Sequence, residues 1–441
     1  MTRVPPPDDG SDVLTSHDKG LPARAAGETI ADFLATSPDL AEFWTPLVVL
    51  DDEAMAHNVA VMAQWTRVRG LELMPHGKTT MAPALWRRQL DAGSLGITLA
   101  TMGQVRTARS LGFDSIMLAN AAVDARALRY LAGELADPGL RFVCWVDSVE
   151  TVEAMERALV VGPPPRRLDV CVELGAPGGR TGARTVAEAT RVAERVAASA
   201  VLRLAGVAGY EGSLAHDRSE ASLRAVRDYL ERQVELHESI RSLYDDGEVY
   251  VTAGGSAYFD VVADVYRNAG AESASGDSAG AGGARTHFVL RSGAYIVHDD
   301  GYYRTVSPFD GSRASEDSPR LVSAMRGIAR VVSHPEPGLA LLDGGKRDFP
   351  YDEGLPIPRG VAADLDGPWA PLTDATVSAM NDQHSYLRLD GADAARGVAP
   401  IGSLVALGLS HPCTAFDKWR VLPVVESADS TRVVDLVRTY F

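Results

Sequence analysis

Short, mainly apolar runs punctuate the chain at 71–74, 96–100, 115–119, 141–147, 168–174, 203–210, 249–252 and 287–291, with mostly helix-like segments between them. Eight such strand–helix units over about 220 residues are what a parallel (β/α)8 barrel requires. The predicted fold class is therefore α/β, a TIM-like barrel, with chemistry on the loops after the C-terminal ends of its strands. A doubly wound open sheet is the alternative, and it is disfavoured because no G-x-G-x-x-G follows the first strand. An earlier apolar run, Leu47 to Leu50, precedes an amphipathic stretch marked by Met55, Val59, Met62 and Val68. From Ala294 onward helical periodicity fades, and runs such as Leu321 to Met325, Leu339 to Leu342 and Leu404 to Leu409 predict a C-terminal β-rich domain that the strand at 47–50 joins.

The expected organisation is a mobile tail over 1–27, where Pro5-Pro6-Pro7 and Asp8-Asp9 lack periodicity, then a barrel over 44–293 and the β-domain over 294–441. A Gly/Ser/Ala-rich stretch, Ala271 to Ala284, reads as a flexible surface insertion before the eighth barrel strand. At 441 residues the chain is too long for one ordinary core, which agrees with two domains. Lys and Arg total 43 against 59 Asp and Glu, a formal charge of −16, so the field disfavours nucleic acid and anionic membrane and favours a small-molecule partner. Three cysteines, with no secretory segment near Met1, point to reduced thiols and the cytoplasm. No apolar stretch approaches the roughly 18 residues needed to span a bilayer.

Chemistry concentrates in a few places. Lys78, in Pro75-His76-Gly77-Lys78-Thr79, follows the first barrel run, where a desolvated amine can lose its proton and form a Schiff base with an aldehyde. His76 sits beside it and can tune it. After the seventh run, Gly254-Gly255-Ser256 precedes the helix-like Tyr258 to Arg267 and can aim backbone N–H groups and a hydroxyl at an anion. If Lys78 holds an aldehyde and this loop a phosphate, with Gly293 and Tyr295 adding contacts after the eighth run, one pyridoxal phosphate spans the barrel mouth. Arg180 either clamps a substrate carboxylate or simply follows a loop; Asn120, Asp147 and Tyr210 also fall at strand ends. His411 and Cys413, two apart around Pro412, would share one face of an extended strand and offer nitrogen and thiolate to zinc or another divalent metal. His384 is a further ligand or an orienting residue, while His17, His57 and His237 read as surface positions. Each feature alone also has an ordinary explanation: a solvated helix-start lysine, a glycine turn with a serine cap, a half-buried histidine beside a packed thiol.

Taken together, Pro-His-x-Lys-Thr at 75–79, Gly-Gly-Ser at 254–256, Arg291-Ser292-Gly293-Ala294-Tyr295 and Ser410-His411-Pro412-Cys413 through Asp417 resemble the fold-type III pyridoxal phosphate enzymes. The resemblance covers about residues 44–425 and is to the branch holding eukaryotic-type D-serine dehydratase, D-threonine aldolase and related bacterial amino acid deaminases. It implies an alanine-racemase-like barrel, a β-domain carrying the metal pair, and a homodimer in which that domain helps build the partner's site. It implies Lys78 as the Schiff-base residue, and His411 and Cys413 as zinc ligands. Aldolases of this branch look like they carry His-x-Asp where dehydratases carry His-x-Cys, so Cys413 implies β-elimination from a D-β-hydroxy amino acid. Thr80-Met81 departs from the His-Lys of the usual dehydratase pattern, which leaves the substrate open. A D-threonine aldolase and a non-enzymatic pyridoxal phosphate-binding protein are the alternatives.

Overall fold

The computed structural model describes residues 12–275, 284–310, 319–390 and 397–441. The chain forms two compact units: 62–78 with 89–293, and 12–61 with 79–88 and 294–441. The second unit therefore takes residues 44–61 and 79–88 out of the segment expected to be barrel. The first strand, β1 (Leu47–Asp51), belongs to it.

Eight strands make the first unit: β2 (Glu72–Leu73), β3 (Ile97–Leu99), β4 (Ser115–Ala121), β5 (Arg141–Val146), β6 (Leu168–Leu174), β7 (Leu202–Gly209), β8 (Glu248–Ala253) and β9 (Arg285–Leu290). All are parallel, in the order β2-β9-β8-β7-β6-β5-β4-β3. The ends of that row meet, because Leu95 N–H donates to Leu73 O and Thr98 N–H to Pro75 O, each at 2.8 Å. The α/β barrel is thus closed. Its strands are covered on both faces, the interior by Met74, Met117, Val143, Trp145, Cys171 and Val289, which is why they read as near-continuous apolar runs. The helix Val186–Ala197 shows the other half of the unit. Thr185 and Glu188 close a capping box at its start, and Ala189, Val192, Ala193 and Val196 bury one stripe. Gly206, at φ +131°, is required by close approach: a Cβ there would stand 1.9 Å from Tyr250 O.

The second unit is largely antiparallel, with β10 (Met325–Glu336), β11 (Leu339–Leu342), β12 (Ile357–Ala362), β13 (Ala370–Pro371), β14 (Ala375–Met380), β15 (Ser385–Leu389), β16 (Leu404–Gly408), β17 (Val421–Val425) and β18 (Val433–Arg438). The main row is β13-β12-β16-β10-β1-β17-β18, and β1 pairs antiparallel with β10 and parallel with β17. The expected tail needs correction from residue 12 onward. Leu14 and Ala25 are fully buried in this unit's core with Phe33, Leu47 and Leu436, so burial of a few anchors outweighs polar composition. Residues 1–11 of that tail lie outside the described residues, as does most of the insertion expected over Ala271 to Ala284, where the helix Phe259–Ser275 continues further than its composition implies. Among the described residues no helix is long and apolar enough to cross a membrane.

Candidate active site

In the first unit the predicted residues gather at the C-terminal ends of five strands. Lys78 lies in the 3-10 turn Gly77–Thr79 that follows β2. His76 pairs as a bridge with Thr98 and donates its N–H to Arg291 O at 3.0 Å, while its Nδ1 is buried without a hydrogen-bond partner. Burial pushes the His76 imidazole well below its ordinary pKa, and the nearby charges of Lys78, Arg291 and Arg180 push the same way. A neutral imidazole beside Lys78 is the result. Gly293 is a glycine for a local reason: a Cβ there would lie 2.5 Å from His76 O. Arg180, after β6, lays its guanidinium over the Tyr210 ring at 4.4 Å. Tyr210 is set by its own N–H, donated to Tyr229 Oη at 3.1 Å, and Tyr229 donates in turn to Leu174 O at 2.6 Å.

The glycine loop after β8 is arranged differently from expectation. Gly254 N–H donates to Glu211 Oε2 at 2.9 Å and Gly255 N–H to Glu211 Oε1 at 2.6 Å, so a carboxylate, not an open space, faces these two donors. Gly254 itself sits at φ +102°. Ser292 Oγ adds a bond to Gly255 O at 3.1 Å. Asn120 and Asp147 are tied up locally: Asn120 Nδ2 donates to Ala100 O, and Asp147 accepts from Thr151 Oγ1 and Gly182 N–H.

Three residues that reasoning from sequence gave no role complete this region. Arg291 is buried, donates to Thr252 Oγ1 at 2.7 Å and to Gly209 O, and stands 4.8 Å from the Trp145 ring. Burial lowers its pKa, against the opposing charge of Glu211 among others. Glu173 accepts from Thr181 Oγ1 at 2.8 Å, and burial holds its carboxyl above the usual range. Glu211 is fully buried. Its one signal in the sequence was a charged residue two positions beyond a strand that is buried at all but one position.

The second unit holds Tyr295, which is buried in the turn Ala294–Ile296, and the pair His411 and Cys413. The extended geometry expected for His411-Pro412-Cys413 is not found. His411 takes φ +53° and caps a short helix, Pro412–Phe416, because Pro412 fits the first helical position and stops the strand. The two side chains still meet. Burial opposes charge on His411, yet hydrogen bonds and charge from Cys413 and Asp352 raise its pKa to about 9. Asp352 Oδ2 lies 2.5 Å from His411 Nδ1, and Asp352 Oδ1 accepts from Thr414 Oγ1 at 2.6 Å. Asp299 Oδ2 accepts the His411 N–H at 2.9 Å, and Cys413 Sγ is 3.4 Å from Thr79 Oγ1. His384 is exposed in the turn between β14 and β15, and Asp352 rather than His384 orients the ring. His17 and His57 are exposed, but His237 is buried in the first unit against Tyr244 and Phe288, a correction to its surface assignment. Among the described residues no group of three or more His, Cys, Asp or Glu side chains is placed to hold a metal ion.

The donor chemistry fits both groups the sequence implied. Glycines whose Cβ atoms would collide with neighbours, and a partnerless buried ring nitrogen beside a lysine, suit a flat aromatic aldehyde. A thiol and an imidazole whose Nδ1 is held by a carboxylate leave sulfur and Nε2 for a borderline-soft cation.

Residues 324–425 match the family described as "Putative serine dehydratase domain". The chain is 27% identical over 394 residues to the D-threonine aldolase of Arthrobacter sp, covering 88% of this chain and 90% of that one. It is 25% identical over 386 residues to the D-threo-3-hydroxyaspartate dehydratase of Delftia sp. (strain HT23), covering 84% and 90%. The crystal structure of D-threonine aldolase from Filomicrobium marinum superposes with a TM-score of 0.73 at 22% identity, covering 91% of this chain and 96% of that one. A closed parallel barrel with a lysine at its mouth and a β-rich partner domain is the architecture of the fold-type III pyridoxal phosphate enzymes. Its relatives of that class are lyases by name, aldolases and dehydratases of D-hydroxy amino acids.

Proposed function

We propose that the protein is a pyridoxal phosphate- and zinc-dependent ammonia-lyase. It eliminates water from a D-configured β-hydroxy amino acid such as D-serine, D-threonine or 3-hydroxy-D-aspartate, and hydrolysis of the released enamine takes up one water to give a 2-oxo acid and ammonia. The observation that carries this reading is the His411–Cys413 pair, whose imidazole is oriented by Asp352 as a metal-ligating histidine is. The bound cofactor supplies an electron sink that acidifies the α-proton, and zinc supplies Lewis acidity to a hydroxyl leaving group.

The chain's own residues do the rest. Lys78 anchors the cofactor and then takes the α-proton at Nζ, helped by a neutral His76 that adds no competing positive charge. Arg180 and Tyr210 present a guanidinium and a ring for a carboxylate and a flat heterocycle. Ser256 offers a hydroxyl, and the start of the helix Phe259–Ser275 the positive end of its dipole, to a phosphate. Tyr295 and Gly293 complete the cofactor set. The protein works as a cytoplasmic homodimer, where Cys144, Cys171 and Cys413, none of them in a disulfide here, stay reduced.

A second reading, retro-aldol cleavage to glycine and an aldehyde, is favoured by the 27% identity to a D-threonine aldolase. Incubation with D-threonine separates them. Ammonia and 2-oxobutanoate are expected, whereas glycine and acetaldehyde as the main products would replace the first reading with the second.

A further inference from the structure

Glu211 has no part in the chemistry described so far, yet it is fully buried at the centre of the first unit's strand ends. Burying a carboxylate is costly unless hydrogen bonds and a countercharge offset it. Both are present: two successive backbone N–H groups, from Gly254 and Gly255, reach its two oxygens at 2.9 and 2.6 Å, and the buried Arg291 supplies positive charge. A bidentate bond to consecutive N–H groups fixes the loop's path, because the loop has no side chains of its own to fix it. The spacing is tight, since a Cβ on Gly254 would lie 2.9 Å from Leu290 Cδ2 and one on Gly255 3.0 Å from Tyr210 Cε2.

We infer that Glu211 is the positioning residue of the phosphate loop: it occupies the first two N–H groups and thereby turns Ser256 and the helix start beyond it toward the cofactor's phosphate. The inference rests on the reading of this unit as a pyridoxal phosphate site. A carboxylate so close to a phosphate contributes no attraction of its own. Its direct effect on a phosphate is repulsion, so a loss of affinity on neutralising it can come only from donors no longer held in place, and that loss is confined to ligands carrying the phosphate.

The test titrates cofactor-stripped full-length protein with pyridoxal 5'-phosphate and with pyridoxal, which lacks the phosphate, following visible absorbance in wild type, Glu211→Gln and Glu211→Asp. The amide keeps the size but presents an N–H to an N–H, so the pyridoxal phosphate Kd is expected to rise about 10-fold or more while the pyridoxal Kd stays within about twofold. Glu211→Asp, which keeps the charge and loses reach, should fall between. Unchanged binding of both ligands, equal loss of both, or collapse of the fold in both variants by circular dichroism would overturn the inference, the last because Glu211 would then be a determinant of the fold. Failure of the wild type itself to bind pyridoxal phosphate would instead sink the cofactor reading beneath it.

Discussion

Around Lys78 the first unit draws residues from the ends of five strands and fixes them mainly through backbone groups: Arg291 on Gly209 O, Tyr210 N–H on Tyr229, Gly254 and Gly255 N–H on Glu211. In the second unit one turn carries both His411 and Cys413, and carboxylate side chains fix the pair, Asp352 on the ring and Asp299 on the backbone N–H. The difference teaches where each site is vulnerable. Loss of Lys78 leaves each of those bonds in place and the first site's shape intact, whereas loss of Asp352 or Asp299 frees the ring or the turn that carries the pair.

The largest expected effect breaks the second unit alone. Cys413→Ala should lower turnover by about 1,000-fold and reduce bound zinc per chain, while the absorbance of bound cofactor persists, because only Lewis acidity is removed. Full turnover in that variant would remove the metal from the mechanism. Next comes Asp352→Asn, which leaves both ligands in place but frees the ring: zinc affinity, read by competition with a chelator, should weaken by about 10- to 100-fold with cofactor binding untouched. An unchanged zinc affinity would show that the turn, not the carboxylate, sets the ring.

The smallest effect concerns what the units share. His237 in the first and His298 in the second are each pushed down to about 4 by burial, with nearby acidic groups opposing. Between that value and an unfolded value near 6.5 only the unfolded chain binds the proton, so stability is full above pH 6.5 and falls as pH drops through the window. Each histidine should cost about 2 kcal/mol at pH 5, measurable as a lowered urea midpoint. His237→Gln should flatten the dependence by about one proton, and an unaltered slope would mean that His237 is not buried neutral.

The barrel was legible because strands buried on both faces leave continuous apolar runs such as Phe142–Val146, and turn residues mark their ends. The second unit was legible only in outline: in β14 exposed and buried positions alternate, and its apolar content is too thin to stand out. Lys78, His76 and Arg180 could be singled out because residue type and strand-end position coincide. Asp352 could not, since it reaches His411 across 59 residues of chain and nothing local marks it. Glu211 reads as an ordinary charged loop residue until the fold brings two glycine N–H groups to it. His411 misled for a related reason, as a His-Pro-Cys sequence suits both a strand and a capped helix and tertiary context chose the second.

The central claim is a covalent link between Lys78 Nζ and pyridoxal phosphate, and borohydride reduction of the cofactor-loaded protein followed by peptide mass mapping tests it most directly. One reduced pyridoxyl group per chain is expected, on the peptide containing Lys78, and none in Lys78→Ala. A label on another lysine, or none in the wild type, would contradict it.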